Sequence, residues 1–165
     1  MKSKHVLIAG GTGFIGYHLA KFLLGKKYII TSLSSRIPPK KRKLKEVRYI
    51  KEDINNLKKI IKIKDKFTYV INLAGYVDHS NKKRTYNTHY KGCVGLVKIF
   101  RKTKLNAFLQ VGSCLEYGKL NSPQKESDGF RPKANYGRSK FLATKFLLKN
   151  FKYYKFPAII IRAYQ

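Results

Sequence analysis

The sequence is poor in cysteine and in acidic residues, and it contains no long apolar segment. Its two cysteines, Cys93 and Cys114, are too few for a disulfide framework. No apolar run approaches the roughly 20 residues that a membrane-spanning helix needs. No set of cysteines and histidines has the spacing of a zinc site. We therefore expect a folded domain without disulfides, membrane helices or a bound metal.

Because only 8 acidic residues oppose 37 lysines and arginines, the formal net charge is +29. A charge of this size is typical of proteins that bind nucleic acid or acidic surfaces. The lysines, however, are spread along the whole chain, and no RNP-type aromatic motif or separate basic tail accompanies them. We favour a compositional bias that places lysine on solvated faces, and we do not expect a nucleic-acid partner. A basic surface would still attract anionic cofactors and substrates.

The N-terminal segment is basic, but the apolar stretch that follows covers only His5–Ala9 and runs into glycines. This pattern indicates a first strand and not a signal peptide, which makes the cytoplasm the expected location. A length of 165 residues is typical of one domain.

Six apolar runs alternate with stretches of helical spacing. The runs are near-continuous, as expected of strands that are covered on both faces. This alternation predicts an α/β fold with a doubly wound parallel sheet in three α/β/α layers. The predicted strands are His5–Ala9, Tyr28–Leu33, Val47–Ile50, Tyr69–Leu73, Ala107–Val111 and Ala158–Ile161. The predicted helices are Gly13–Leu24, Leu57–Ile63, Lys83–Lys102 and Asn135–Phe151.

A glycine-rich loop follows the first predicted strand. Gly10, Gly13 and Gly16 are spaced three apart where the next helix begins. Glycine permits a positive φ and lets the backbone approach a pyrophosphate closely, and free N–H groups near Phe14 and Ile15 would bind its oxygens. A glycine turn without a ligand is the alternative, but the position between a strand and a helix favours a nucleotide.

The end of the second predicted strand helps to choose the cofactor. About twenty residues after the glycines, an acidic residue is expected where a ribose 2′-hydroxyl is bound, and an arginine where a 2′-phosphate is. The chain reads Ser-Leu-Ser-Ser-Arg over 32–36, without an acid. We therefore favour NADP over NAD, with Arg36 binding the phosphate. The alternative is that Arg36 is one more surface cation.

Two further strand ends carry candidate cofactor contacts. Asp53, which Ile54 follows, either accepts a hydrogen bond from an adenine amino group or caps the next helix, and the residue alone does not decide. Leu73, Ala74 and Gly75 end the fourth predicted strand, where the backbone would have to approach the cofactor closely.

Three later residues form a candidate catalytic set. Ser113 ends the fifth predicted strand, so its hydroxyl would point into the crevice at the carboxyl edge of the sheet. Tyr136 and Lys140 are spaced i, i+4 and project from the same helix face. Ser113 can polarise a carbonyl, Tyr136 can transfer the proton, and Lys140 can lower the phenol pKa and hold a ribose hydroxyl. A solvated helix face is the alternative for the Tyr-x-x-x-Lys pair.

From about Lys4 to Tyr164, these motifs resemble the extended branch of the short-chain dehydrogenase/reductases, specifically the NAD-dependent epimerase/dehydratase family of nucleotide-sugar enzymes. The resemblance implies a Rossmann-type NAD(P)-binding domain over residues 1–165, an adenine contact at Asp53 and Ile54, and catalytic roles for Ser113, Tyr136 and Lys140. It implies hydride transfer on a nucleotide-linked sugar, by 4-keto reduction or epimerisation. A homodimer through the Tyr136 helix is a further hypothesis.

The chain also departs from the family pattern. His89 stands where an asparagine is frequent, and Cys114 and Leu115 replace an acidic pair that is typical of sugar 4,6-dehydratases, which disfavours dehydration. We further expect that the family's C-terminal substrate-binding region is absent. That expectation favours an alternative function, a non-catalytic dinucleotide-binding fragment or a redox-responsive binding module.

Overall fold

Six parallel strands form one sheet with the order β3-β2-β1-β4-β5-β6. The computed structural model describes residues 4–119, 121 and 123–164. The strands are β1 (His5–Ala9), β2 (Ile29–Ser34), β3 (Val47–Lys51), β4 (Tyr69–Asn72), β5 (Ala107–Ser113) and β6 (Ala158–Ala163). The predicted doubly wound parallel sheet is confirmed.

Helices occupy the connections between the strands. They are α1 (Phe14–Gly25), α2 (Lys58–Ile61), α3 (Lys82–Tyr86), α4 (Gly92–Phe100) and α5 (Asn135–Tyr154). A π-helical turn, Asn87–Lys91, joins α3 to α4, and short 3₁₀ turns lie at Lys40–Arg42, Lys64–Lys66 and Cys114–Glu116. None of the helices in the described part of the chain is long and apolar enough to cross a membrane.

Two apolar clusters pack on opposite faces of the sheet, because successive strand residues point to opposite sides. Leu7 and Ala9 belong to the larger cluster, which includes Leu96 of α4 and Leu147 of α5. Val6 and Ile8 belong to the smaller cluster, which packs against α1. The central strand β1 is therefore almost fully buried.

On the α1 side of the sheet, an apolar hollow of about 290 Å³ lies over β1, β4, β5 and β6. Tyr69, Leu109 and Ile159 are among the residues that line it. Ile159 and Ile161, on the edge strand β6, are 50% and 49% exposed. This part of the sheet is only partly covered.

The strand order fixes where the chain can form a site. From β1 the chain proceeds to β2 on one side, whereas β4 on the other side leads to β5. Loops that leave the carboxyl ends of β1 and β4 therefore diverge and leave a crevice between them, which is the usual ligand position in open α/β sheets.

Candidate functional site

The loop between β1 and α1 is packed against the end of β4. Gly10 has a φ of +82°, and a Cβ there would lie 2.8 Å from the backbone N of Ala74 and the carbonyl O of Leu73. A Cβ on Gly16 would collide with the carbonyl O of Gly10. Glycine is thus required at both positions, and the predicted contact residues at the ends of β1 and β4 lie side by side.

The N-terminus of α1 is open to an anion. Gly13 caps the helix without a side-chain hydrogen bond, and the first turn contains no acidic residue. Phe14 and Ile15 are 73% and 63% exposed, and the first N–H groups of a helix have no acceptor within it. These donors, beside a glycine loop that leaves no room for side chains, fit the pyrophosphate of a dinucleotide.

At the end of β2, the Ser34 hydroxyl is already engaged, since it accepts from the Thr12 N–H at 3.2 Å and donates to the Leu33 carbonyl at 2.7 Å. Arg36 follows in an exposed loop. The Arg36 guanidinium is therefore the charged group of segment 32–36 that a ligand can reach.

Asp53 is exposed, and its Oδ1 accepts from the backbone N–H of Asn55 at 2.8 Å and from the Asn55 side-chain amide at 3.0 Å. The interpretation of Asp53 as the cap of the next helix is wrong, because α2 begins later and Leu57 stands at its cap. Ile54 is buried and packs where α4 begins, since a Cβ on Gly92 would lie 2.9 Å from its side chain.

Buried amides fix the end of β4. The Asn72 side chain donates to Gln110 Oε1 at 2.8 Å and accepts from the Ala74 N–H at 3.2 Å. Gly75 follows, and a Cβ there would lie 3.3 Å from Cε1 of His89. These contacts hold the backbone of residues 72–75 against the glycine loop.

Ser113, Tyr136 and Lys140 meet at the carboxyl end of β5. The Ser113 hydroxyl lies close enough to the Tyr136 phenol to lower its pKa. Lys140 Nζ lies 5.6 Å from the centroid of the Tyr136 ring and donates to the Val111 carbonyl at 2.7 Å. Helical spacing brings the tyrosine and the lysine onto one face of α5, and the strand end supplies the serine.

The pKa values of this set reflect burial. Burial raises the pKa of Tyr136, and the nearby Ser113 hydroxyl only partly opposes that shift. Burial also lowers the pKa of Lys140 to about 8, while nearby Glu116 opposes that shift. Lys140 was expected to lower the phenol pKa, but it is not among the groups that shift it, and burial raises that pKa instead.

The sequence profile of the NAD dependent epimerase/dehydratase family matches residues 6–165. The chain belongs to this family. A dTDP-D-glucose 4,6-dehydratase from Dictyostelium discoideum is 33% identical over 190 residues, which cover 96% of this chain and 43% of that protein. A dTDP-6-deoxy-L-talose 4-dehydrogenase (NAD(P)(+)) from Kitasatospora kifunensis is 26% identical, with 95% of this chain and 51% of that protein covered.

Solved structures of the family have the same fold. A UDP-glucose 4-epimerase from Brucella ovis, in complex with NAD, superposes with a TM-score of 0.85 and 26% identity, over 97% of this chain and 51% of that one. The chain spans about half the length of the curated relatives it matches.

Sequence reasoning did not predict the contacts that two histidines and one glutamate make with the candidate catalytic residues. His79 and His89 both lie against the Tyr136 ring. Glu116, which is fully buried, accepts from the Ser113 N–H at 2.9 Å and pairs with Arg162 Nε at 3.3 Å. The Ser-x-x-Glu spacing of a capping box could have indicated Glu116, since it forms that box with Ser113. Nothing in the sequence pattern around 79 indicated the histidine.

Among the described residues, no group of three or more histidine, cysteine or acidic side chains could hold a metal ion.

Proposed function

We propose that the chain is the dinucleotide-binding and catalytic domain of a nucleotide-sugar enzyme that reduces a 4-keto sugar or epimerises a sugar carbon. The observation that carries this proposal is the meeting of the Ser113 hydroxyl, the Tyr136 phenol and the Lys140 ammonium. They meet at the same edge of the sheet as the glycine loop. Three groups of this chemistry suit one carbonyl that gains or loses a hydride.

A bound nicotinamide dinucleotide would supply the hydride transfer. The Ser113 hydroxyl donates a hydrogen bond to the sugar carbonyl oxygen, and Tyr136 gives or takes the proton at that oxygen. Lys140 holds a ribose hydroxyl. Because the pKa of Tyr136 is raised, the phenol is protonated at neutral pH, which favours proton donation in the reductive direction.

Dehydration is the reaction that we do not propose, although one relative is a 4,6-dehydratase. Loss of water needs an acid and a base besides the group that handles the carbonyl oxygen. Cys114 and Leu115 stand beside Ser113 where an acidic pair would serve, and Glu116 is buried in its pair with Arg162.

The cofactor that we propose is NADP, with NAD as the alternative. Support comes from Arg36, which is exposed beyond β2, and from the lack of a carboxylate in segment 32–36. Titration of the purified chain with NADPH and NADH, followed by nicotinamide fluorescence, tests the proposal.

We expect Arg36→Ala to weaken NADPH binding by about tenfold and to leave NADH binding unchanged, since a charged hydrogen-bond pair is lost. Arg101→Ala, which removes an exposed arginine that stacks on Tyr154, is the matched control and should change neither. Equal affinity for both dinucleotides contradicts the cofactor preference. Failure to bind either contradicts the function.

A second candidate function is a binding module without turnover, or a redox-responsive one. It needs only the dinucleotide contacts of the glycine loop and of the open N-terminus of α1. Like the first candidate, it predicts that the chain binds a dinucleotide in the fluorescence titration. It differs in that no 4-keto nucleotide sugar would be reduced at any concentration of NADPH.

Two further expectations remain proposals. A homodimer through α5 is supported by Leu148 and Phe151, which are 49% and 55% exposed, but lysines 145, 149 and 152 are exposed on the same helix. Association should therefore strengthen with salt, and sedimentation that shows only monomer at high salt would remove the dimer.

The two free cysteines support a reducing compartment such as the cytoplasm.

A further inference from the structure

Two histidine rings lie against the ring of Tyr136. The His79 ring stacks on it with centroids 4.2 Å apart and an interplanar angle of 18°. The His89 ring meets it nearly at a right angle, 86°, with centroids 5.0 Å apart. The centroids of the two histidine rings lie 6.2 Å from each other. Both contact geometries are favourable for aromatic pairs, and together they restrict how the phenol ring can turn.

His89 is held firmly on its own side. It is 3% exposed, and its Nε2 lies 3.3 Å from both the N and the O of the Tyr76 backbone. It belongs to the π-helical turn Asn87–Lys91, a rare conformation that is frequent at functional sites. The extra residue in this turn changes which side chains between α3 and α4 face α5.

The chemical state of His89 is also fixed. Burial, aided by the charge of Lys140, lowers its pKa to about 4, so the imidazole is neutral at physiological pH. Its Nδ1 is buried, and no described residue forms a hydrogen bond with it. A buried polar atom left unpaired is costly, which argues that the position serves more than packing.

His79 comes from the loop after β4, and local contacts hold that loop. The Asp78 carboxylate accepts from the N–H and the hydroxyl of Ser80. The guanidinium of Arg84, in α3, lies 4.9 Å from the centroid of the Tyr76 ring. The same loop thus contributes the Tyr76 backbone to His89 and the His79 ring to Tyr136.

We propose that His79 and His89 are positioning residues for Tyr136, which hold the phenol ring between them with its hydroxyl directed at Ser113. This inference rests on the proposed role of Tyr136 as the proton-transferring group. It explains why a phenol on a helix surface is half-buried and why the loop after β4 is tied to the start of α4.

Other charged or polar groups also face the phenol. They are Lys140 on α5, Ser113 on β5, and Cys114 and Glu116 in the turn after β5. A test must therefore compare variants in which these groups are unchanged.

The test is a pH titration, without any ligand, of the 165-residue chain carrying tyrosine labelled with ¹³C at Cζ. Each of the 12 tyrosines gives one NMR signal, and Tyr136→Phe identifies the signal of interest. His89→Asn removes the edge contact and opens the ring to water, so the pKa of Tyr136 should fall towards that of an exposed tyrosine. His79→Ala should shift the Tyr136 signal and lower its pKa in the same direction.

The control is His5→Asn. His5 is another partly buried histidine, with a hydrogen bond to Thr31 Oγ1 at 2.9 Å and a ring contact to Phe67, and it lies at the opposite end of β1. This substitution should lower stability and leave the Tyr136 signal unchanged. If His79→Ala and His89→Asn also leave the signal and the pKa of Tyr136 unchanged, the proposal is overturned.

Should His89→Asn fail to fold, the substitution of the exposed His79 by alanine decides alone: a moved Tyr136 signal supports the histidine pair, and an unmoved one overturns it. The titration needs no dinucleotide. A failed NADPH titration with a moved Tyr136 signal would overturn the proposed function and leave the positioning role standing.

Discussion

At the scale of single residues, a fully buried carboxylate lies beneath the candidate catalytic serine. Glu116 pairs with Arg162, and the Arg162 guanidinium lies 5.0 Å and 4.8 Å from the ring centroids of Tyr117 and Phe130. A Cβ on Gly112 would lie 2.5 Å from the carboxylate. The Glu116 charge is enclosed, so its removal leaves the Arg162 guanidinium without an acidic partner in a site of low polarity.

We expect Glu116→Gln to lower the free energy of unfolding by about 3 kcal/mol, because one partner of a buried pair is lost. Chemical denaturation measures the change. Asp65→Asn is the matched control, since the Lys64–Asp65 pair, at 2.8 Å, is largely solvated and should cost less than about 1 kcal/mol. Equal costs for the two variants would contradict the argument.

Lys140, in contrast, is a buried residue whose charge is unfavourable in the folded state. Its pKa, about 8, lies below the ordinary value for lysine, so the unfolded chain binds more protons than the folded one above that pH. Wild-type stability attributable to Lys140 should therefore be lowest below pH 8 and rise as the pH increases from about 8 towards 10.

We expect Lys140→Met to raise the free energy of unfolding by about 1–3 kcal/mol at pH 7, since each pKa unit corresponds to about 1.4 kcal/mol. The Val111 carbonyl keeps a donor, because Gln110 Nε2 lies 3.1 Å from it. The stability difference from wild type should shrink by pH 10, and dinucleotide affinity should fall. A variant that is less stable at pH 7 would show that the lysine stabilises the fold.

Whether the sequence could predict each of these residues depends on where its contact partners lie in the fold. Ser113 stands at a predicted strand end, and Tyr136 and Lys140 stand at helical spacing on the next predicted helix, so the order of predicted elements indicated that they meet. His79 lies on a loop without periodicity, and its contact with Tyr136 depends on how the loop after β4 folds back. Arg162 lies beside Glu116 because the pairing of β5 with β6 extends beyond the apolar runs from which these two strands were predicted.

At the scale of elements, the first helix contains two glycines in different surroundings. Gly16 is buried against the backbone of Gly10 and Gly11, whereas a Cβ added to Gly25, at the end of α1, would meet nothing within 4 Å. Substitution by alanine adds the same group to the same helix at both positions. Only the surroundings differ.

We expect Gly16→Ala to cost about 1–3 kcal/mol of stability through overpacking and to abolish dinucleotide binding. Gly25→Ala should be neutral or stabilising by up to about 1 kcal/mol, because it removes chain entropy from the unfolded state. Thermal unfolding and the NADPH titration measure both effects. If both variants bind NADPH like wild type, the loop does not hold the pyrophosphate.

The strand bounds agree with the predicted apolar runs to within two residues at each end. β1 has the predicted bounds, but α2 is shorter than predicted because a single turn buries Leu57 and Ile60 and leaves Ile61 51% exposed. The predicted helix 83–102 is interrupted by the π-helical turn. Apolar periodicity cannot reveal one extra residue in a turn whose flanks are both helical.

At the scale of the whole molecule, the partly covered sheet face over β4, β5 and β6 sets its solution behaviour. We expect Ile159→Thr with Ile161→Thr to reduce binding of an uncharged apolar dye and to cost little stability, because both side chains are half exposed. Ile160→Thr is the control on the same strand. Its side chain packs against the larger core, so it should cost about 1–3 kcal/mol.

Dye fluorescence and chemical denaturation distinguish the two faces of β6. Unchanged dye binding in the double variant would mean that the apolar hollow is covered in solution.

The strand order has one more consequence. Residues 5–51 supply β1, β2 and β3, and residues 69–163 supply β4, β5 and β6, so the crevice follows the seam between two consecutive halves of the chain. The β1–β4 ladder, Val6↔Tyr69 to Ala9↔Asn72, is the sheet contact that joins them. A ligand seated across that seam would bind both halves at once. It should slow amide hydrogen exchange of Leu7 and Ile71 more than that of β3 at the sheet edge.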